Sequence, residues 1–159
     1  MLGPSGWENL ASLTIKLSPY VPHEPTEKQL AFLMLDNLEA FYGGAAGGGK
    51  SDALLMAAMQ HANTPGYAAI IFRKNYSALN LPGALMDRAK EWLKNTDANW
   101  KEQEKTWHFP SGASLSFGYL DNDNDIWRYQ SAEFQFIGFD ELTEFSEKQF
   151  KFLYSRLRR

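Results

Sequence analysis

A chain of 159 residues is long enough for one domain with a real core and too short for two comfortable ones. Its net charge of −3 provides no global basic field for nucleic acid or an anionic membrane, and its 44% hydrophobic and 22% charged residues are the balance of a globular protein. With no cysteine, disulfide scaffolds, thiolate zinc sites and a cysteine nucleophile are all excluded.

Residues 1–24 are rich in Pro, Ser and Gly and predict an arm on the surface, with no basic-then-apolar pattern of a signal peptide. TEKQLAFLMLDN, Thr26 to Asn37, predicts a helix capped by Thr26, with Leu30, Leu33 and Leu38 near helical spacing. LEAFYGG reads as a short buried strand ending in glycine, and KSDALLMAAMQHA as a helix stopped by NTPG. YAAIIFRK predicts a second buried strand, too short to span a membrane, and GALMDRAKEWLKN an amphipathic helix. KTWHFPSGASLSFGYL predicts a hairpin around PSG. After the polar loop DNDNDIWRYQSAE, FQFIGF predicts a third buried strand, leading through DELTEF into a last helix, SEKQFKFLYSRLRR. Strands alternating with helices imply an α/β fold with a mainly parallel sheet and flanking helices.

The glycines clustered in YGGAAGGGKSDAL need a reason, because glycine loses the most backbone entropy on folding. Gly44 to Ser51, GAAGGGKS, meets the phosphate-loop spacing GxxxxGK[ST], between a predicted strand and a predicted helix. Small residues there let backbone N–H groups curl around a polyphosphate, and the helix N-terminus aims its dipole at the same anion. The expected nucleotide contacts are Gly44, Ala45, Ala46, Gly47, Gly48, Gly49, Lys50, Ser51 and Asp52, with Lys50 on the β- and γ-phosphates and the Ser51 hydroxyl on Mg²⁺. The third strand delivers two carboxylates, Asp140 to hold Mg²⁺ and Glu141 to polarise the attacking water. This pair points to ATP chemistry in the RecA-like, catalytic-glutamate branch of the P-loop NTPases, with YAAIIF as one intervening strand. DNDND, Asp121 to Asp125, is not read as a calcium loop: Ile126 stands where glycine is needed and Ala132 where the bidentate Glu is needed. His23, His61 and His108 have no ligand spacing.

With the loop, FDELTEF and the stretch between them in hand, the chain resembles the ATPase domain of the large terminase subunit of tailed bacteriophages, from about Pro25 to the end. The resemblance is carried by PTEKQLAFL, YGGAAGGGKSDAL, IIFRKNY, FPSGASLSFGYL, IWRYQSAEFQFIGFDELTEF and FLYSRLRR, in that order. It implies an arm over 1–24, an ATPase domain over 25–159, and a motor that drives double-stranded DNA into a procapsid in the cytoplasm of the infected bacterium. Its partners would be DNA, the portal protein, the small terminase subunit and further copies in a ring, with no membrane involved. It assigns adenine reading to Gln29, whose carboxamide can donate and accept at once. Two departures stand out: alanine fills the loop where many relatives carry arginine, and the chain stops at Arg159 soon after the carboxylate strand. The coupling strand and the nuclease domain are therefore expected to be missing. An arginine finger then falls to Arg128 in the polar loop or to Arg73 at the strand end. A nucleotide-binding module, or a helicase-like ATPase with little turnover, is the alternative.

Overall fold

The computed structural model describes residues 17–158 apart from Ala46 and Gly48, so residues 1–16 of the predicted 1–24 arm and those two loop positions lie outside the described residues. The elements in chain order are α1 (Glu27–Leu33), α2 (Lys50–Met59), β1 (Ala68–Arg73), α3 (Tyr76–Leu79), α4 (Leu85–Leu93), β2 (Asn99–Lys101), β3 (Thr106–His108), β4 (Ser114–Tyr119), β5 (Phe136–Phe139) and α5 (Glu147–Tyr154). Short 3₁₀ helices span Asp123–Tyr129 and Leu142–Glu144. The five strands form one sheet in the order β2-β3-β4-β1-β5. β1 runs parallel to both β4 and β5, whereas β3 is antiparallel to β4 and β2 to β3. The fold is thus α/β, with a parallel centre and an antiparallel extension at one side. Among the described residues no helix is long and apolar enough to cross a membrane.

β1 sits at the centre because both of its faces are apolar. Ala69 and Ile71 point into one cluster, with Leu55 and Met59 of α2, Met86 and Leu93 of α4 and Leu115 of β4. Ile70 and Phe72 point the other way, onto Leu120, Ile126, Phe134 and Leu153. All four β1 residues are essentially inaccessible, as the uninterrupted run AAIIF predicts for a strand covered on both sides. α2 lies close over β5 because Gly138 has no side chain: a Cβ there would meet Leu54 Cδ1 at 2.8 Å.

Several expectations are corrected. Residues 17–24 do not simply lie on the surface, since Ser18 and Tyr20 are buried and the Tyr20 hydroxyl donates to Asp97 at 2.8 Å. The first helix ends at Leu33 and not at Asn37. LEAFYGG forms no strand, with Leu38 half-exposed and Phe41 71% exposed. The reason is the absence of a ladder partner, because a cleft of about 990 Å³ separates residues 38–44 from the outer edge of β5. For the same reason β5 is only half-buried, with Gly138 alone fully covered. The last helix stops at Tyr154, after which Leu157 bridges Phe134. The polar loop after β4 contains a 3₁₀ turn in which Asn122 and Asp125 form a capping box.

Gln149 joins three of these segments from a fully buried position. Its carboxamide accepts from Ser146 N at 3.0 Å and Lys74 Nζ at 3.2 Å, and donates to the carbonyls of Leu120 at 3.3 Å and Asn122 at 3.1 Å. Gln149→Ala removes a capping box and leaves two carbonyls unpaired. Urea unfolding should show a loss of about 2–3 kcal/mol.

Candidate functional site

The glycine loop ends at Gly49, which caps α2 in the left-handed conformation at φ 68°. The side chain of Gln29 closes over this residue, and a Cβ at position 49 would lie 2.5 Å from Gln29 Nε2, so only glycine fits. α2 has no side-chain cap at its N-terminus. A glycine cap offers no side chain to these first-turn N–H groups, and the positive end of the helix dipole lies behind them. Lys50 and Ser51 are the first two residues of that turn. Lys50 Nζ donates to the Gly44 carbonyl at 2.9 Å, and Lys28 Nζ to the Gly43 carbonyl at 2.5 Å while lying 4.9 Å from the centre of the Tyr42 ring. Two ammonium groups thus gather at the exposed loop of Gly43, Gly44 and Ala45. Lys28 was not singled out from the sequence, where nothing distinguishes it from an ordinary surface lysine.

The second wall is the C-terminal end of β5. Asp140 N donates to the Phe72 carbonyl at 2.9 Å, extending the parallel ladder by one bond. Asp140 is largely covered, and burial raises its pKa, opposed by Arg73 and Lys50 and reinforced by Glu141 and Glu144. Lys50, Gly44, Asp140 and Glu141 all line the large cleft. Glu141 adopts φ 57°, one of two non-glycine residues with positive φ among the described residues, and this turns the chain sharply out of β5 with its carboxylate still half-exposed. Arg73, at the end of β1, lies 3.0 Å from Asp140 Oδ2 and 3.9 Å from Glu141 Oε1.

Other expected site residues are engaged elsewhere. Gln29 is 3% exposed and its carboxamide is used at both ends: Oε1 accepts from Thr26 N at 2.9 Å, and Nε2 donates to the Gly49 carbonyl at 2.9 Å. Buried as it is between Thr26 and Gly49, the Gln29 carboxamide in this structure holds the loop end. The Asp52 carboxylate pairs with Arg88 of α4 and lies 3.4 Å from His23 Nε2, tying α2 to its neighbours. A smaller cleft of about 400 Å³ beside it is lined by His23, Lys28, Gln29, Gly47, Gly49 and Asp52, among others. Arg128 pairs with Asp125 at 2.8 Å, and its guanidinium lies 4.8 Å from the centre of the Tyr119 ring, within its own chain.

Together these residues suit a polyphosphate with a divalent cation. Mg²⁺ is commonly held by one or two carboxylates plus substrate phosphates, and no three His, Cys, Asp or Glu side chains among the described residues form a cage of their own. Asp140 is the cleft-lining carboxylate that could take part in holding it, and Ser51 follows Lys50 at the start of α2. The cation would neutralise charge on the phosphates and on Asp140.

A family model described as "Terminase large subunit, T4likevirus-type, N-terminal" matches residues 41–158. Comparison with curated proteins and with solved structures returned no significant match.

Because burial raises the Asp140 pKa above its ordinary value, its ionisation costs folded-state stability. The protonated group carries no such cost below the unfolded value of about 3.9, and the cost grows as pH rises through the folded value. Asp140→Asn should therefore raise Tm at pH 7 in EDTA. Melting curves across pH should show the gain disappearing toward about pH 3.

Proposed function

The chain belongs to the T4likevirus-type N-terminal family of the terminase large subunit, and on that premise we propose that it is an ATP-hydrolysing motor domain for packaging viral DNA. The observation that carries this reading is the convergence of the Lys50 loop and the Asp140–Glu141 strand end on one cleft. In it the loop amides and Lys50 hold the β- and γ-phosphates, while Ser51 and Asp140 hold Mg²⁺. Glu141 takes a proton from the attacking water as the new oxygen–phosphorus bond forms and the bond to the β–γ bridging oxygen breaks. ADP and inorganic phosphate leave, and the proton passes from Glu141 to solvent.

On this reading the fold is a P-loop NTPase of the catalytic-glutamate branch, and the domain acts in the cytoplasm of the infected bacterium. Double-stranded DNA, the portal and the small terminase subunit are its partners. A ring of copies supplies an arginine in trans, and half-exposed Arg128 is the candidate on this chain. Gln29 enters as the residue that positions Gly49 and not as the base reader. The isolated chain should bind nucleotide yet turn over slowly, since an arginine finger contributes roughly 10³–10⁵ in rate.

Three variants test these assignments. Lys50→Ala should abolish tight binding of a fluorescent ATP analogue in the presence of Mg²⁺; unchanged affinity in a folded protein would sink the phosphate reading. Glu141→Gln should keep that binding while hydrolysis drops ~10²–10⁴-fold in a phosphate-release assay. Gln29→Ala should weaken ATP and GTP alike in competition binding, because a loosened Gly49 affects the phosphates and not the base. A selective loss of ATP would instead restore Gln29 to adenine.

A further inference from the structure

Arg73 is a charged side chain beside Asp140 and Glu141 that the hydrolysis scheme leaves unused. The parallel register pairs Phe72 with Phe139, so the next residues, Arg73 and Asp140, emerge side by side from the same end of the sheet. The backbone on either side of Arg73 is fixed: the Phe72 carbonyl accepts from Asp140 N at 2.9 Å and the Lys74 carbonyl from Leu120 N at 3.2 Å. Both side chains are mostly covered, Arg73 being 22% and Asp140 13% exposed. Arg73 Nη1 is buried and makes no hydrogen bond, although Asp140 Oδ2 is only 3.0 Å away. The contact is thus a charge contact without an aligned donor, and its second partner, Glu141, is 3.9 Å off. A guanidinium nitrogen held to a carboxylate by charge without an aligned hydrogen bond is weakly satisfied, and leaves that oxygen open to a better-placed cation.

We infer that Arg73 is an internal counter-ion for the Asp140–Glu141 pair, occupying the place of the divalent cation until nucleotide and cation arrive. The inference rests on the nucleotide reading above and adds a residue to it. Two adjacent carboxylates in a covered site repel, and a cation beside them lowers that cost. A guanidinium and Mg²⁺ on the same carboxylate oxygen repel in turn, so the two compete for Asp140. With its backbone anchored, Arg73 yields by side-chain rotation. Arg73 therefore sets how much Mg²⁺ the site demands, and acts as a positioning residue within its own chain and not as a finger for a neighbour.

The test uses the full chain with Arg73→Gln and Arg73→Ala, measuring the Mg²⁺ concentration that half-saturates binding of a fluorescent ATP analogue, together with Tm in EDTA and in Mg²⁺ without nucleotide. Both neutral variants should lower the Mg²⁺ midpoint about tenfold, melt earlier in EDTA and gain more Tm from Mg²⁺ than the wild type does. A variant unfolded in EDTA but folded in Mg²⁺ supports the same assignment, and one unfolded in both overturns it. An unchanged or higher midpoint also overturns it, as does turnover lost in Arg73→Ala and restored by mixing with Lys50→Ala copies. If the wild type binds no nucleotide at any Mg²⁺ concentration, the nucleotide reading fails. The Mg²⁺-induced Tm shift, larger in Arg73→Gln than in the wild type or not, then decides the Arg73 assignment by itself.

Discussion

The hydrogen bond from Asp140 N to the Phe72 carbonyl, 2.9 Å long, is the constraint on which the rest of the site depends. It extends the parallel pairing of β1 and β5 to the last rung before both chains leave the sheet. Everything charged follows from that rung. Arg73 is brought beside Asp140, Glu141 is forced into a left-handed turn, and α2, seated over Gly138, presents Lys50 to the same corner. A slip of this pairing by one residue would turn every side chain to the opposite face. With both faces of β1 apolar, size and not polarity opposes such a slip, since only Gly138 fits beneath Leu54.

What could be read from the sequence was whatever its near neighbours decide. Thr26 and Ser146 cap their helices as their types suggest, because a cap is settled within three residues. The apolar run of β1 needed no partner to declare itself buried. The hairpin of β3 and β4 formed around PSG, while β2 beyond it is not marked by the sequence, since one half-buried residue between two exposed ones carries no pattern. Residues 38–44 misled for the opposite reason. Their composition suits a strand, but a strand exists only where another supplies its hydrogen bonds, and here a cleft lies between these residues and β5.

The site divides in the same way. The loop spacing and the adjacent acids named Lys50, Ser51, Asp140 and Glu141 directly, and the fold brings Lys50, Asp140 and Glu141 to one cleft. The partners of Gln29 and Arg73 were hidden because they are far along the chain and are set by tertiary register. Gln29 reaches the Gly49 carbonyl twenty positions on, and Arg73 meets Asp140 only through the β1–β5 pairing. A residue type suggests what a side chain can bond to; only the packed structure says which bond it has already made.

The cleft between residues 38–44 and β5 has a mechanical meaning as well as a chemical one. The glycine loop and the acid-bearing strand end do not pair directly, and each reaches the other through the body of α2. An occupant that touches both walls acts as a removable crosslink, ordering backbone that is otherwise restrained from one side only. Part of its intrinsic attraction is then spent on lost chain entropy, and the same amount returns as recoil when it departs. In such an arrangement it is the occupied, ordered corner that holds free energy above its relaxed state. Strain need not be stored in any bent bond for release of the occupant to do work on whatever the loop and strand end are coupled to.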